Sequence, residues 1–122
     1  GYAEWILLRR GSSIFRLPPD LSTEAVVGAG CALNTAIQGL ERIGLSPGES
    51  VVIQGAGPVG LAALAVALDH GAHPVVVVGG PAHRLERAME MGASATIDLQ
   101  AYPTPQARLE EIRRLVGPYG AD

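Results

Sequence analysis

The apolar run Val51-Val52-Ile53 leads through Gln54 into Gly55-Ala56-Gly57-Pro58-Val59-Gly60, and the chain continues as the helical-looking Leu61 to His70. Few arrangements constrain a fold so strongly. In Gly-x-Gly-x-x-Gly between a strand and a helix, Gly55 permits the tight turn and Gly57 lets backbone approach a pyrophosphate without a Cβ in the way. Gly60 lets the helix pack close to the strand. The helix N-terminus then offers free N–H groups and a partial positive charge to an anion.

Glycine spacing alone says little in a chain with 16 glycines, so its surroundings decide. Val51 to Ile53 follow the turn signal Ser46-Pro47-Gly48-Glu49, as a buried strand would. Leu61, Leu64, Ala65 and Leu68 recur at helical spacing, Gly71 is a plausible stop, and Val75 to Val78 form a second β-branched run. Strand, glycine loop, helix and strand thus make a βαβ unit of the length a dinucleotide fingerprint requires.

The rest of the chain continues the alternation. Pro81 to Met91 predicts a helix with Leu85, Ala88 and Met89 on its apolar face and Arg84, Glu86, Arg87 and Glu90 on its solvated one. Ala95 to Asp98 predicts a third strand, and Gln106 to Val116 a further amphipathic helix. Upstream, Ser22 is a candidate N-cap, Gly28-Ala29-Gly30 is expected to interrupt the helix it opens, and Cys31 to Ile43 resumes as a helix ended by Gly44. Tyr2 to Leu8 and Ile14 to Leu17 look like two short strands. The fold class is therefore α/β, a Rossmann-like doubly wound parallel sheet in the order 3-2-1. It is expected to be truncated, since the complete form adds strands beyond the first.

Composition narrows the function class. Nine basic against 12 acidic residues give a net charge of −3 with no basic run, which argues against nucleic acid and anionic membrane as partners. No apolar stretch reaches the roughly 18 residues of a membrane span, and the N-terminus lacks the layout of a secretion signal. The one cysteine cannot form an internal disulfide, which fits a cytoplasmic setting.

Together these features resemble the medium-chain dehydrogenase/reductase superfamily, and within it the zinc-dependent alcohol dehydrogenase branch. Gly1-Tyr2-Ala3-Glu4-Trp5 and Leu17-Pro18-Pro19-Asp20-Leu21 are similar to segments that close the family's catalytic domain. Gly44 to Val52 is similar to the lead into its nucleotide fold. Gly55 to Gly60 has the form typical of the zinc branch, and Arg84-Leu85-Glu86, Met91-Gly92-Ala93 and Gly120-Ala121-Asp122 match recurrent positions. The resemblance implies that residues 1–20 are the tail of a GroES-like, β-rich catalytic domain. Residues 21–122 would be the N-terminal half of an NAD(P)-binding domain. It further implies an oxidoreductase that interconverts an alcohol and a carbonyl compound by hydride transfer, as a homo-oligomer, with this chain inactive by itself. Two alternatives stand beside it: a non-catalytic NAD(H)- or nucleotide-binding module, and a zinc-free reductase of the same superfamily.

In the zinc branch a cysteine at the start of the helix joining the two domains ligates the metal, and a threonine four residues later lies near the nicotinamide. Cys31 and Thr35 have that spacing. A lone cysteine on an apolar helix is otherwise a small packed residue, and one ligand cannot hold Zn²⁺, so zinc is expected only in a longer parent protein. His70, His73 and His83 show no convergent spacing and are expected to be solvated. The cofactor cradle expected from fingerprint and resemblance comprises Gly55, Gly57, Pro58, Val59 and Gly60 at the pyrophosphate, Gly79 and Arg84 at the adenosine ribose, and Thr35 at the nicotinamide. The fingerprint calls for an acidic residue at the end of the second strand, where this chain has Gly79. Losing that carboxylate removes both an acceptor for the 2′-hydroxyl and a charge that repels a 2′-phosphate, so NAD and NADP both remain open.

Overall fold

A computed structural model describes residues 3–122; Gly1 and Tyr2, which begin the first expected strand, lie outside the described residues. The elements are α1 (Thr23–Ile43), β1 (Val51–Gln54), α2 (Pro58–Asp69), β2 (Val75–Gly79), α3 (Ala82–Glu90), β3 (Ala95–Asp98) and α4 (Pro105–Val116). The strands form a parallel sheet in the order β1-β2-β3, which is the expected 3-2-1 order.

β2 is buried along its whole length, as the centre of a parallel sheet covered on both faces must be. The alternation of side chains divides the sheet between two cores. Val51, Ile53, Val75 and Val77 face one way and pack with Leu64 and Ala67 of α2, Leu85 and Ala88 of α3, and Ala36 and Leu40 of α1. Val76, Val78 and Ile97 face the other way, against Ile112, Leu115 and Val116 of α4. Helices α2 and α3 thus lie on one side of the sheet and α4 on the other.

Two expectations fail. Helix α1 is continuous across Gly28-Ala29-Gly30, because neither glycine takes a positive φ. The helix is held at its start and along one face: Ser22 caps it by accepting from the Ala25 N–H at 3.2 Å, and Ala32, Ala36 and Leu40 bury its core face. A glycine inside a helix costs only about 1 kcal/mol relative to alanine, which such packing outweighs. The N-terminal segment contains no strand among its described residues, 3–22. Trp5, Ile6, Leu7, Ile14 and Phe15 are exposed, and without a neighbouring strand to complete a ladder an isolated hairpin is marginal.

Candidate functional site

The loop between β1 and α2 is built by its glycines. Gly55 turns off the strand at φ +117°, a conformation open to glycine and strained for other residues. Its N–H still donates to the Val78 carbonyl at 2.7 Å, so the turn is anchored to β2. Gly57 takes the N-cap position of α2 and Pro58 the first helical one, three residues earlier than the apolar spacing suggests. Proline is preorganised there, and its missing N–H is one the helix would leave unpaired anyway. Gly60 sits in the first turn, where a Cβ would lie 1.8 Å from the Gly55 carbonyl oxygen. Here the strand end and the helix touch backbone to backbone.

This helix end is electrically bare. No side chain caps α2 and no acidic residue stands in its first turn, so its leading N–H groups and dipole are left for an outside anion. Arg84, in the first turn of α3, reaches over the loop: its Nη1 lies 4.0 Å from where a Cβ on Gly57 would stand. Among the described residues it has no carboxylate partner; the ion pairs are Arg87–Glu90 and Arg114–Glu111.

Three clefts surround the loop. The first, about 490 Å³, runs between α1 and α2 and brings Gly57, Pro58 and Arg84 together with Gly28, Ala29 and Leu33. The second, about 580 Å³, opens at the carboxyl ends of the strands, where Gly55 and Gly79 meet Leu99 and Arg108. The third collects Gly55, Gly57, Pro58, Val59 and Gly60 on the far side of the loop. Every expected cradle residue except Thr35 borders at least one cleft. The contributions of Gly28, Ala29, Leu33, Leu99 and Arg108 are invisible in the sequence, because helix α1 and the β3–α4 connection reach the loop only through tertiary packing.

Gly79 has a steric reason to be glycine. A Cβ there would lie 2.8 Å from the Ala56 nitrogen and 3.1 Å from the Ala56 Cβ. The loop rests directly on the end of β2, in the space an acidic side chain would otherwise start from.

Cys31 and Thr35 stand one turn apart on the exposed side of α1, outside these three clefts. The Thr35 hydroxyl donates to the Cys31 carbonyl at 2.7 Å. Among the described residues no three His, Cys, Asp or Glu side chains are grouped as a metal would require. Cys31 is thus one thiol without companions, and the residues present do not fit a zinc site. His70, His73 and His83 are exposed, as expected; the His70 ring makes a local contact from Nδ1 to the Val66 carbonyl at 2.8 Å.

No family model matches the chain. Individual proteins do. A 5-exo-hydroxycamphor dehydrogenase from Pseudomonas putida is 40% identical over 121 residues, 98% of this chain and 33% of that protein. Among solved structures, an alcohol dehydrogenase from Thermus sp. ATN1 superposes with a TM-score of 0.70 at 40% identity, covering 82% of this chain and 28% of that one. An NAD-dependent alcohol dehydrogenase gives 0.72 at 33% identity, with 86% and 30% covered. The chain spans between 22% and 33% of the length of the curated relatives it matches. With the glycine loop, the 3-2-1 sheet and these relatives in agreement, the chain matches a fragment of the zinc-type alcohol dehydrogenases of the medium-chain dehydrogenase/reductase superfamily.

Proposed function

We propose that this chain is the cofactor-binding part of an NAD(P)-linked oxidoreductase that interconverts a small alcohol and a carbonyl compound. The observation that carries it is the uncapped N-terminus of α2 behind Gly55 to Gly60, with the Arg84 guanidinium, which has no carboxylate partner among the described residues, over Gly57. A pyrophosphate needs that combination: backbone N–H donors, a helix dipole and a nearby cation, with no Cβ in the approach. The relatives' names, a hydroxycamphor dehydrogenase and alcohol dehydrogenases, point to the same chemistry.

Gly55, Gly57, Pro58, Val59 and Gly60 would hold the pyrophosphate, with Arg84 over Gly57 beside it rather than at the ribose; Gly79 would border the adenosine and Thr35 the nicotinamide. Bound nicotinamide supplies the acceptor for the hydride that leaves the alcohol carbon. The residues of this chain position that cofactor. Zinc chemistry would need ligands beyond Cys31.

Calorimetric titration with ADP-ribose, NAD⁺ and NADP⁺ tests the proposal. Binding of ADP-ribose is expected, with no alcohol oxidation by the chain alone. Gly57→Ala should weaken all three ligands while leaving the fold intact, because a Cβ at 57 meets nothing nearer than the Arg84 side chain at 4.0 Å. Absence of heat with all three ligands would refute a pyrophosphate site.

A further inference from the structure

Gly79 leaves the adenosine without the carboxylate that the end of β2 supplies in an NAD fingerprint, yet a carboxylate stands one strand away. The pairing of β2 with β3 sets Val78 opposite Ile97 and Gly79 opposite Asp98. Val78 and Ile97 both pack toward α4. Since successive residues of a strand alternate faces, Gly79 and Asp98 both face the α2 and α3 side, where the glycine loop lies. The contact that a Cβ on Gly79 would make with Ala56 shows the same direction independently. Of the residues closing the three strands, Gln54, Gly79 and Asp98, Asp98 alone is ionisable.

Its geometry is already set. Asp98 is half-buried, and its Oδ1 accepts from the Gln100 N–H at 2.8 Å. No described hydrogen bond uses the other oxygen. The Gly79 carbonyl accepts from the Leu99 N–H at 3.0 Å, which keeps the two strand ends side by side. Adjacent strands lie roughly 4.8 Å apart, so this carboxylate is displaced by one strand spacing from the position a β2 acid would take.

We propose that Asp98 takes over the adenosine-recognition role of the missing β2 carboxylate, accepting from the ribose hydroxyls and selecting the nucleotide that lacks a 2′-phosphate. Arg84 does not oppose this, because its guanidinium lies over Gly57, where it serves the pyrophosphate. A phosphate placed beside Asp98 would meet a like charge. This inference rests on the nucleotide-binding function proposed above and adds to it a choice of NAD(H) over NADP(H).

The test is titration of the full chain with ADP-ribose and with 2′-phospho-ADP-ribose, for wild type, Asp98→Asn and Asp98→Ala. The asparagine variant keeps an oxygen for the Gln100 turn and removes the charge; circular dichroism confirms that each variant is folded. Wild type is expected to favour ADP-ribose by about tenfold or more, as a charge-assisted hydrogen bond allows. Asp98→Asn should narrow that ratio severalfold. Asp98→Ala should bring it near unity and lower ADP-ribose affinity by about tenfold. A wild-type preference for the 2′-phosphorylated ligand, or a ratio unchanged in both variants, overturns the role of Asp98 and leaves the pyrophosphate site standing. Wild-type chain that binds neither ligand overturns both proposals.

Discussion

Three glycines of the loop are required for three different reasons, and substitution separates them. At Gly60 the obstacle is backbone: an added Cβ would meet the Gly55 carbonyl oxygen at 1.8 Å, and a carbonyl cannot rotate away as a side chain can. Gly60→Ala is therefore expected to lower stability by roughly 1–3 kcal/mol, the usual range for overpacking, and thermal unfolding followed by circular dichroism measures it. At Gly57 the same methyl has room, so the loss expected there is in binding. Gly55 is held by its positive φ. The motif shows that glycine belongs at all three positions, but the crowding at Gly60 and the openness at Gly57 appear only once strand and helix are packed. Gly79 carries the same lesson. In sequence it is a missing acid; in the fold it is the floor on which Ala56 rests.

Among the elements, α1 shows how far a local signal can be overruled. Gly28-Ala29-Gly30 suggests a break, since each glycine costs a helix conformational entropy. The Ser22 cap, the burial of Ala32 and the apolar contacts of Ala36 and Leu40 restore what those residues lose. Gly30 is exposed, and a Cβ there meets nothing within 4 Å. Gly30→Ala should accordingly stabilise the chain by about 0.5–1 kcal/mol, seen as a higher denaturant midpoint with an unchanged slope. Gly28 faces the first cleft and is a poorer choice, because a methyl there narrows it. The β elements behave in the opposite sense. Val75 to Val78 are strand-like in sequence and buried in the sheet, whereas Ile14 to Leu17 are also strand-like in pattern but have no partner strand among the described residues.

At the scale of the whole molecule, residues 72 positions apart close on each other. The Asp122 carboxylate accepts from the backbone N–H of Ser50 at 2.9 Å and from its hydroxyl at 2.8 Å, beside the start of β1. The Ser50 N–H, then its hydroxyl, hold the Asp122 pKa below its ordinary value near 3.8. A depressed carboxylate pKa means that the folded state binds the proton less readily than the unfolded one. The tie's contribution is thus complete above the ordinary value and is lost as pH falls through the lower folded one. Asp122→Asn should lower stability most at neutral pH, where the tie is complete, and by progressively less as pH falls through the acidic interval, so that the variant's stability depends less on pH there. Urea denaturation at a series of acidic pH values checks this, and parallel curves for both proteins would assign the acid sensitivity to other carboxylates.

The sequence by itself determined the βαβ order, the glycine loop and the family resemblance, because each depends on residues that are neighbours in the chain or lie at fixed spacing. Conformational freedom at glycine, the helical period and the strand period are local properties, and local patterns record them. Only the tertiary structure decided which side chains gather around the loop. Register between β2 and β3 sets Asp98 opposite Gly79, α3 carries Arg84 over Gly57, and α1 brings Gly28 and Leu33 to the cleft. No spacing rule encodes these meetings, since they follow from how the elements pack on the sheet.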